Sequence, residues 1–282
     1  MKAPLRTLAE LVRAPAALSV PGDVVAGAAA AGTLAPRSAG LAAASVCLYW
    51  AGMAANDWAD RDLDAVERPE RPIPSGRVGA PAALGIAAGL TAAGLVVAGR
   101  VGGPRALALA MPLAAAVWAY DLRLKNTAAG PAGMAACRAL DVLLGASAGN
   151  PVRALPAAAA IGMHTYAVTA LSRHEVAGSA NGELPAATLL TTAAITGAVA
   201  ARGGAPAVLL AGQYAAGFGR AQSALFGDPS AARVRSAVGA GITALPALQG
   251  ALAARAGRTL TGMAVAAAVP IGRLLARRVS PT

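Results

Sequence analysis

Apolar residues run in long blocks along nearly the whole chain, and polar residues are confined to short breaks between them. Segments of roughly 17 to 21 apolar residues, the length that spans a bilayer core, fall at 15–34, 39–56, 79–99, 104–119, 130–149, 154–172, 184–201, 206–225, 236–253 and 259–276. The pattern predicts an all-α fold, a polytopic transmembrane helical bundle of ten segments by hydropathy. It forms one domain over residues 1–282, with no short-period repeat and no low-complexity linker. The 206–225 segment carries Gln213, Tyr214, Arg220 and Gln222, so it either lines the protein interior or lies partly outside the membrane.

Composition agrees: 56% of the 282 residues are hydrophobic before the 33 glycines are counted, and only 13% are charged. That is about half the charge of an ordinary globular domain, and it excludes a disordered chain. There are 24 Lys and Arg against 13 Asp and Glu, and only Lys2 and Lys125 are lysine. The arginines stand singly at segment ends, where they anchor helices to headgroups and set topology. Nucleic-acid binding is set aside, because basic residues do not cluster on one face and stacking aromatics are scarce. A cytoplasmic N-terminus places sixteen cations inside and seven outside, as the positive-inside rule prefers. The regions 56–78, 120–129 and 173–183 then face the cytoplasm together. Cys47 and Cys137 lie in apolar runs without metal-ligand spacing, and no signal-peptide pattern is evident at the start. Frequent Ala and Gly either allow close helix packing or reflect compositional bias alone.

One dense polar island, Ala54 to Val78, closes the second segment. At ~100° per residue, Asp57, Asp60 and Asp64 share a helical face about 60° wide, while Asp62 points away. Three like charges on one face repel, so something cationic should lie against them. Oxygen donors so arranged suit Mg²⁺, which shares its coordination between one or two carboxylates and substrate phosphates. The alternative is a solvated interfacial face, the acids capping a helix end and pairing with Arg61, Arg68 and Arg71. Acids at or inside a span are costly and usually functional. Pro69, Pro72 and Pro74 should hold an extended loop with a turn at Gly76. Arg68, Arg71 and Arg77 would then set a cationic rim suited to an anionic phosphate ester.

Asn56, Asp57, Asp60 and Asp64 spell N-D-x-x-D-x-x-x-D, followed by Arg68-Pro69 and Arg71-Pro72-Ile73-Pro74-Ser75-Gly76. This run resembles the first signature of the UbiA superfamily of intramembrane prenyltransferases. The resemblance implies a UbiA-like bundle of about nine spans, with a polar cap over a central cavity open laterally to lipid. It also implies Mg²⁺ held by two acidic motifs, a polyprenyl diphosphate as donor, and transfer of the prenyl group to a small-molecule acceptor, often aromatic. Tyr120-Asp121-Leu122-Arg123-Leu124-Lys125-Asn126 is similar to the family's loop after the fourth span, where a tyrosine and a lysine serve the diphosphate; Lys125 would be its charge partner. As a bare pattern the basic residues there are equally topology anchors.

The family's second motif, D-x-x-x-D after the sixth span, should fall at 170–178, where neither aspartate is present. His174 and Glu175 are the available groups, with Glu183 beyond. Glu175 would take the second-metal role, Arg173 and His174 would touch substrate, and His174 is equally a general base or an interfacial histidine. The run Ser172-Arg173-His174-Glu175-Val176-Ala177-Gly178 is similar to one in a bacterial subgroup encoded in secondary-metabolite or ebo-type clusters. Arg138 and Asp141, three apart on the fifth segment, either neutralise each other or contact the diphosphate or acceptor. His164 and Tyr166 either shape the cavity or are satisfied by a neighbouring helix.

The expected activity is Mg²⁺-dependent prenyl transfer in the cell membrane, with Asp57, Asp60, Asp64 and Lys125 stabilising the leaving diphosphate. Asn56, Arg68, Arg71, Tyr120 and Arg138 would bind substrate. The alternative is a non-catalytic protein of the same fold for lipid or metabolite binding or export. A secondary transporter would show two-fold internal repeats, which are not found.

Overall fold

The computed structural model describes residues 5–179 and 182–268, and among them every regular element is helical. The order is α1 (Leu5–Leu11), a 3₁₀ turn (Ala14–Ser19), α2 (Val20–Ala30), α3 (Arg37–Ala59), α4 (Arg61–Glu67) and α5 (Ala80–Ala119). There follow a π-helical turn (Tyr120–Leu124), α6 (Gly130–Gly145), α7 (Leu155–Ser172), α8 (Glu183–Ala200), α9 (Ala205–Ser223), α10 (Ala231–Arg255) and α11 (Thr259–Ala266). Five stretches among the described residues are long and apolar enough to cross a membrane, at Arg37–Ala59, Ala80–Leu124, Pro151–Ser172, Glu183–Ala200 and Ala231–Arg255.

The stretch from Ala80 is two helices, not one. Gly103 sits at φ 69° and ψ −164°, a conformation only glycine adopts without strain, and Pro104 opens the second half where its missing N–H costs nothing. The halves fold back on each other, and Trp118 Nε1 donates to Thr91 Oγ1 at 3.0 Å. This matches the two expected segments, 79–99 and 104–119. The first expected segment, 15–34, is divided instead: a 3₁₀ turn precedes α2, which is only eleven residues long. Pro21 lacks an N–H and starts a new helix rather than continuing the old one. The last expected segment, 259–276, begins as α11, and its end lies outside the described residues.

Two apolar cores meet along α2 and α6. One gathers Ala26, Val142, Ile161, Leu171, Phe218 and Leu248, and the other Val24, Leu41, Leu48, Leu113, Cys137 and Leu144. The helices come together through glycine. A Cβ on Gly27 would lie 1.8 Å from Val142 O, and one on Gly145 would lie 2.1 Å from Val24 O. Here the small residues are a packing device, since backbones touch only where side chains are absent. A smaller cluster of Leu11, Ala54, Ala55, Val78, Ala83 and Ala87 binds α1, the end of α3 and the start of α5 beneath the polar island.

Candidate active site

The helix expected to carry all three aspartates breaks among them. Asp60 has φ −90° and ψ 3°, ending α3 and opening α4, so Asp57 and Asp64 meet one guanidinium across a bend while Asp60 pairs with Lys125. Asp57 and Asp64 are each 3% exposed, whereas the Asp62 side chain is 87% exposed and meets only Arg61, at 3.4 Å. The expected cations are present. Arg71 Nη1 lies 2.7 Å from Asp64 Oδ2 and 3.3 Å from Asp57 Oδ1, one nitrogen bridging two carboxylates. Arg13 Nη2 adds a contact to Asp57 Oδ1 at 2.9 Å. The solvated-face alternative required exposed acids paired with Arg61, Arg68 and Arg71; of these three only Arg71 engages the cluster, and it does so under cover.

A second group forms beside the first. The end of α5 widens into a π turn, with Lys125 N bonded to Tyr120 O at 3.0 Å, and π turns gather at functional sites. It brings Lys125 Nζ to 2.7 Å from Asp60 Oδ1, a largely covered ion pair. Asn56 Nδ2 donates to Asp121 Oδ1 at 3.2 Å, and Asp121 is 2% exposed. Gly52 makes room for it, since a Cβ there would lie 2.8 Å from Asp121 Oδ2.

The loop after α4 coils through successive turns instead of running extended, with Ser75 N bonded to Arg71 O and Val78 N to Pro72 O; Gly76 has the expected positive φ, 73°. The coil turns Arg71 inward. Arg77 is drawn to α1, where it pairs with Glu10 and holds that carboxyl below its ordinary range.

Other expected site residues stand apart from the two groups. Arg68 makes no side-chain bond to an acid, and Tyr120 lines a cavity below the acids. Arg173 Nη1 donates to Thr127 O at 2.6 Å, and His174 Nδ1 lies 3.3 Å from Gly178 O. Glu175 is tied to α10 through its backbone O, which accepts from Arg235 Nη1 at 2.7 Å; partial burial pushes its carboxyl upward. No ion pair or hydrogen bond joins Glu175 to Asp57, Asp60 or Asp64, and no three acid, His or Cys groups gather as a metal centre among the described residues.

Arg138 and Asp141 make no direct ion pair. Arg138 Nε pairs with Asp23 Oδ2 at 2.7 Å, and Asp141 Oδ1 accepts from Ser45 Oγ at 2.5 Å. His164 is satisfied by α9, its Nδ1 lying 3.0 Å from Tyr214 Oη, while Tyr166 is half exposed. Tyr214 and Gln222 thus line the interior, as one expectation for 206–225 had it, and Gln213 and Arg220 lie on the outside. Arg13, Asp23, Asp121 and Gln249 escaped the sequence reading. A lone acid inside an apolar run is the signal that marks Asp23.

A multi-helix apolar bundle, with buried carboxylates and cations gathered at one end beside an apolar cavity, is the architecture of a multi-pass membrane protein. The profile of the UbiA prenyltransferase family matches residues 19–226, and the chain belongs to that family. It is 44% identical over 90 residues to a digeranylgeranylglyceryl phosphate synthase of Ignicoccus hospitalis, covering 32% of this chain and 30% of that one. It is 42% identical over 77 residues to the bacteriochlorophyll synthase 33 kDa chain of Rhodobacter capsulatus, covering 26% and 25%. The matched stretches take in about a third or less of these relatives' own length. The fold is similar to a structure solved in work on a digeranylgeranylglyceryl phosphate synthase in membranes, with TM-score 0.68 and 16% identity over 89% of this chain and 98% of that one. It is also similar to the apo structure of a UbiA homologue from Aeropyrum pernix, with TM-score 0.54 and 20% identity over 92% and 97%.

Proposed function

We propose that the protein transfers a prenyl group from a polyprenyl diphosphate to a small-molecule acceptor, inside the cell membrane and with the site facing the cytoplasm. Two groups of charges beside an apolar cavity, Asp57 and Asp64 with Arg13 and Arg71, and Asp60 with Lys125, carry this reading. The donor set fits Mg²⁺: hard carboxylate oxygens on Asp57 and Asp64, already spanned by one cationic nitrogen, with the Lys125 ammonium paired to Asp60 beside them. Asp57, Asp60 and Asp64 would hold the metal, with Glu175 in the second-motif role. When bound, the metal would neutralise charge on the leaving diphosphate. Lys125, Arg71 and Arg13 would turn to the phosphate oxygens, which develop charge as the prenyl C–O bond breaks with its electron pair. The acceptor supplies the pair for the new bond and releases a proton. The apolar cavity keeps water from the allylic cation. The relatives, a digeranylgeranylglyceryl phosphate synthase and a bacteriochlorophyll synthase chain, favour the non-aromatic side of the expected aromatic or other small-molecule acceptor.

The test is binding of a labelled long-chain prenyl diphosphate to the protein in lipid, with and without Mg²⁺. Binding should require the metal and fall at least tenfold in Asp57→Ala, Asp60→Ala and Glu175→Ala, while Asp62→Ala stays within threefold. Loss in Asp60→Ala alone would remove Glu175 from the site. No metal-dependent binding in the unaltered protein would leave a non-catalytic lipid- or metabolite-binding protein of this fold as the better reading.

A further inference from the structure

Away from the carboxylates, a groove opens between α9 and α10 at the same end of the bundle, where Arg235 of α10 ties down the turn after α7. Gln213, Ala216, Gly217 and Arg220 follow at helical spacing along one wall, and Arg233 and Ser236 line the other from the first two turns of α10. The groove measures ≈ 550 Å³, within the ~300 to 1,000 Å³ of small-molecule pockets.

The wall formed by α9 is unusual for its position. This helix has 19 residues and packs against α8 and α10, both long and apolar enough to cross a membrane, yet it is not among the five stretches that are. Two of the groups that lower its hydropathy, Gln213 and Arg220, are exposed and line the groove. Polar groups facing hydrocarbon are costly unless something polar meets them. Nothing in the protein does so: Gln213, Arg220 and Ser236 make no side-chain hydrogen bond or ion pair among the described residues. Arg233 gives its Nε to Asp228 Oδ2 at 3.2 Å in an exposed pair, and its two Nη groups have no partner among those residues. Two arginines against one acid leave the groove with a net positive charge.

Depth orders these groups. Arg220 stands in the last turn of α9 and Arg233 in the first turn of α10, the level of headgroups. Ser236 lies one turn further in and Gln213 two, about 10 Å below Arg220 at ~1.5 Å per residue. Donors thus continue inward beneath the cations, in the order in which a glycerophospholipid presents acceptors, phosphate outermost and ester carbonyls below. A topology anchor needs only a cation near headgroups in general; two arginines across one groove suit a bound phosphate. A second copy of the chain fits poorly, because a two-fold contact here would set four arginines together against two aspartates.

We propose that this groove binds one membrane phospholipid whose phosphodiester headgroup carries a single negative charge and no ammonium. Its phosphate sits between Arg220 and Arg233, and its ester carbonyls accept from Gln213 and Ser236. The site does not depend on the prenyl-transfer reading.

The full chain in detergent is offered dioleoyl phosphatidylglycerol and dioleoyl phosphatidylcholine at equal concentration, and retained lipid is read by native mass spectrometry. Phosphatidylglycerol should be retained as a single copy, at least fivefold over phosphatidylcholine. The double variant Arg220→Gln, Arg233→Gln should bring that preference below twofold. Arg100→Gln with Arg105→Gln, the same charge change at exposed positions beside the break at Gly103, should keep it above fourfold. Gln213→Leu, which leaves both arginines in place, should lower phosphatidylglycerol retention at least twofold, a reading that survives misfolding of the double variant. Equal losses in the two double variants, no preference in the unaltered protein, or full retention in Gln213→Leu would overturn the proposal. Displacement of the lipid by glycerol 3-phosphate alone would overturn it in favour of a soluble phosphate, and a two-copy species dissolved by the Arg220 and Arg233 changes would give the groove to a second chain.

Discussion

At the scale of single residues, Arg71 holds the most exposed point of leverage in the site, because one of its nitrogens is shared by two carboxylates that have almost no contact with solvent. Removing one partner of a buried pair strands the other, at a cost of about 3 kcal/mol. Arg71→Ala should therefore lower the thermal midpoint in detergent and weaken prenyl diphosphate binding at least tenfold. Arg71→Lys, a point charge without the planar fork, should recover stability more than binding. The aspartates of this site were legible because they lie within eight positions of one another. Arg13 was not, since its partner Asp57 is 44 positions away, and Asp23 meets Gln249 across 226. A pattern of short spacing exposes a local motif and is blind to a cation supplied by another helix.

Among the elements, the crossing of α2 and α6 positions the deep end of the cavity. Gly27 and Gly145 let these backbones touch, and the contact holds Asp23 against Arg138. Gly145→Leu should force the helices apart, opening that ion pair and lowering the thermal midpoint, while Gly85→Leu, where a side chain would meet open space, should change it little. Loss of equal size in both would show that the crossing carries no special load. Helix positions were largely legible: the expected 184–201 and 206–225 correspond to Glu183–Ala200 and Ala205–Ser223. What hydropathy could not supply was local backbone geometry. It marked the ends of the apolar runs at 56 and 119 but not the break at Asp60 or the π turn at Tyr120, because polarity does not encode hydrogen-bond register.

For the whole molecule, the end of α3, the coil after α4, the π turn and the turn after α7 lie at one end of the bundle, linked by Lys125 to Asp60 and by Arg173 to Thr127. On the proposed topology the excess of arginine and lysine would put that end in the cytoplasm. A cysteine introduced by Glu70→Cys, at an exposed position of the coil, should react with an impermeant maleimide in inside-out vesicles and not in right-side-out ones. The reverse pattern would invert the topology.

The pairing of every cluster carboxylate with a cation bears on how the site fills. If the site binds Mg²⁺ as proposed, a magnesium ion arriving alone would have to displace Arg71 or Lys125 and leave that charge stranded. A diphosphate arriving at the same time gives the displaced side chains a new partner. Each ligand then strengthens the other by the same factor, as linkage requires. On that reading the resting protein would be self-inhibited toward free metal, and loading would become a single cooperative exchange of counterions between protein and substrate.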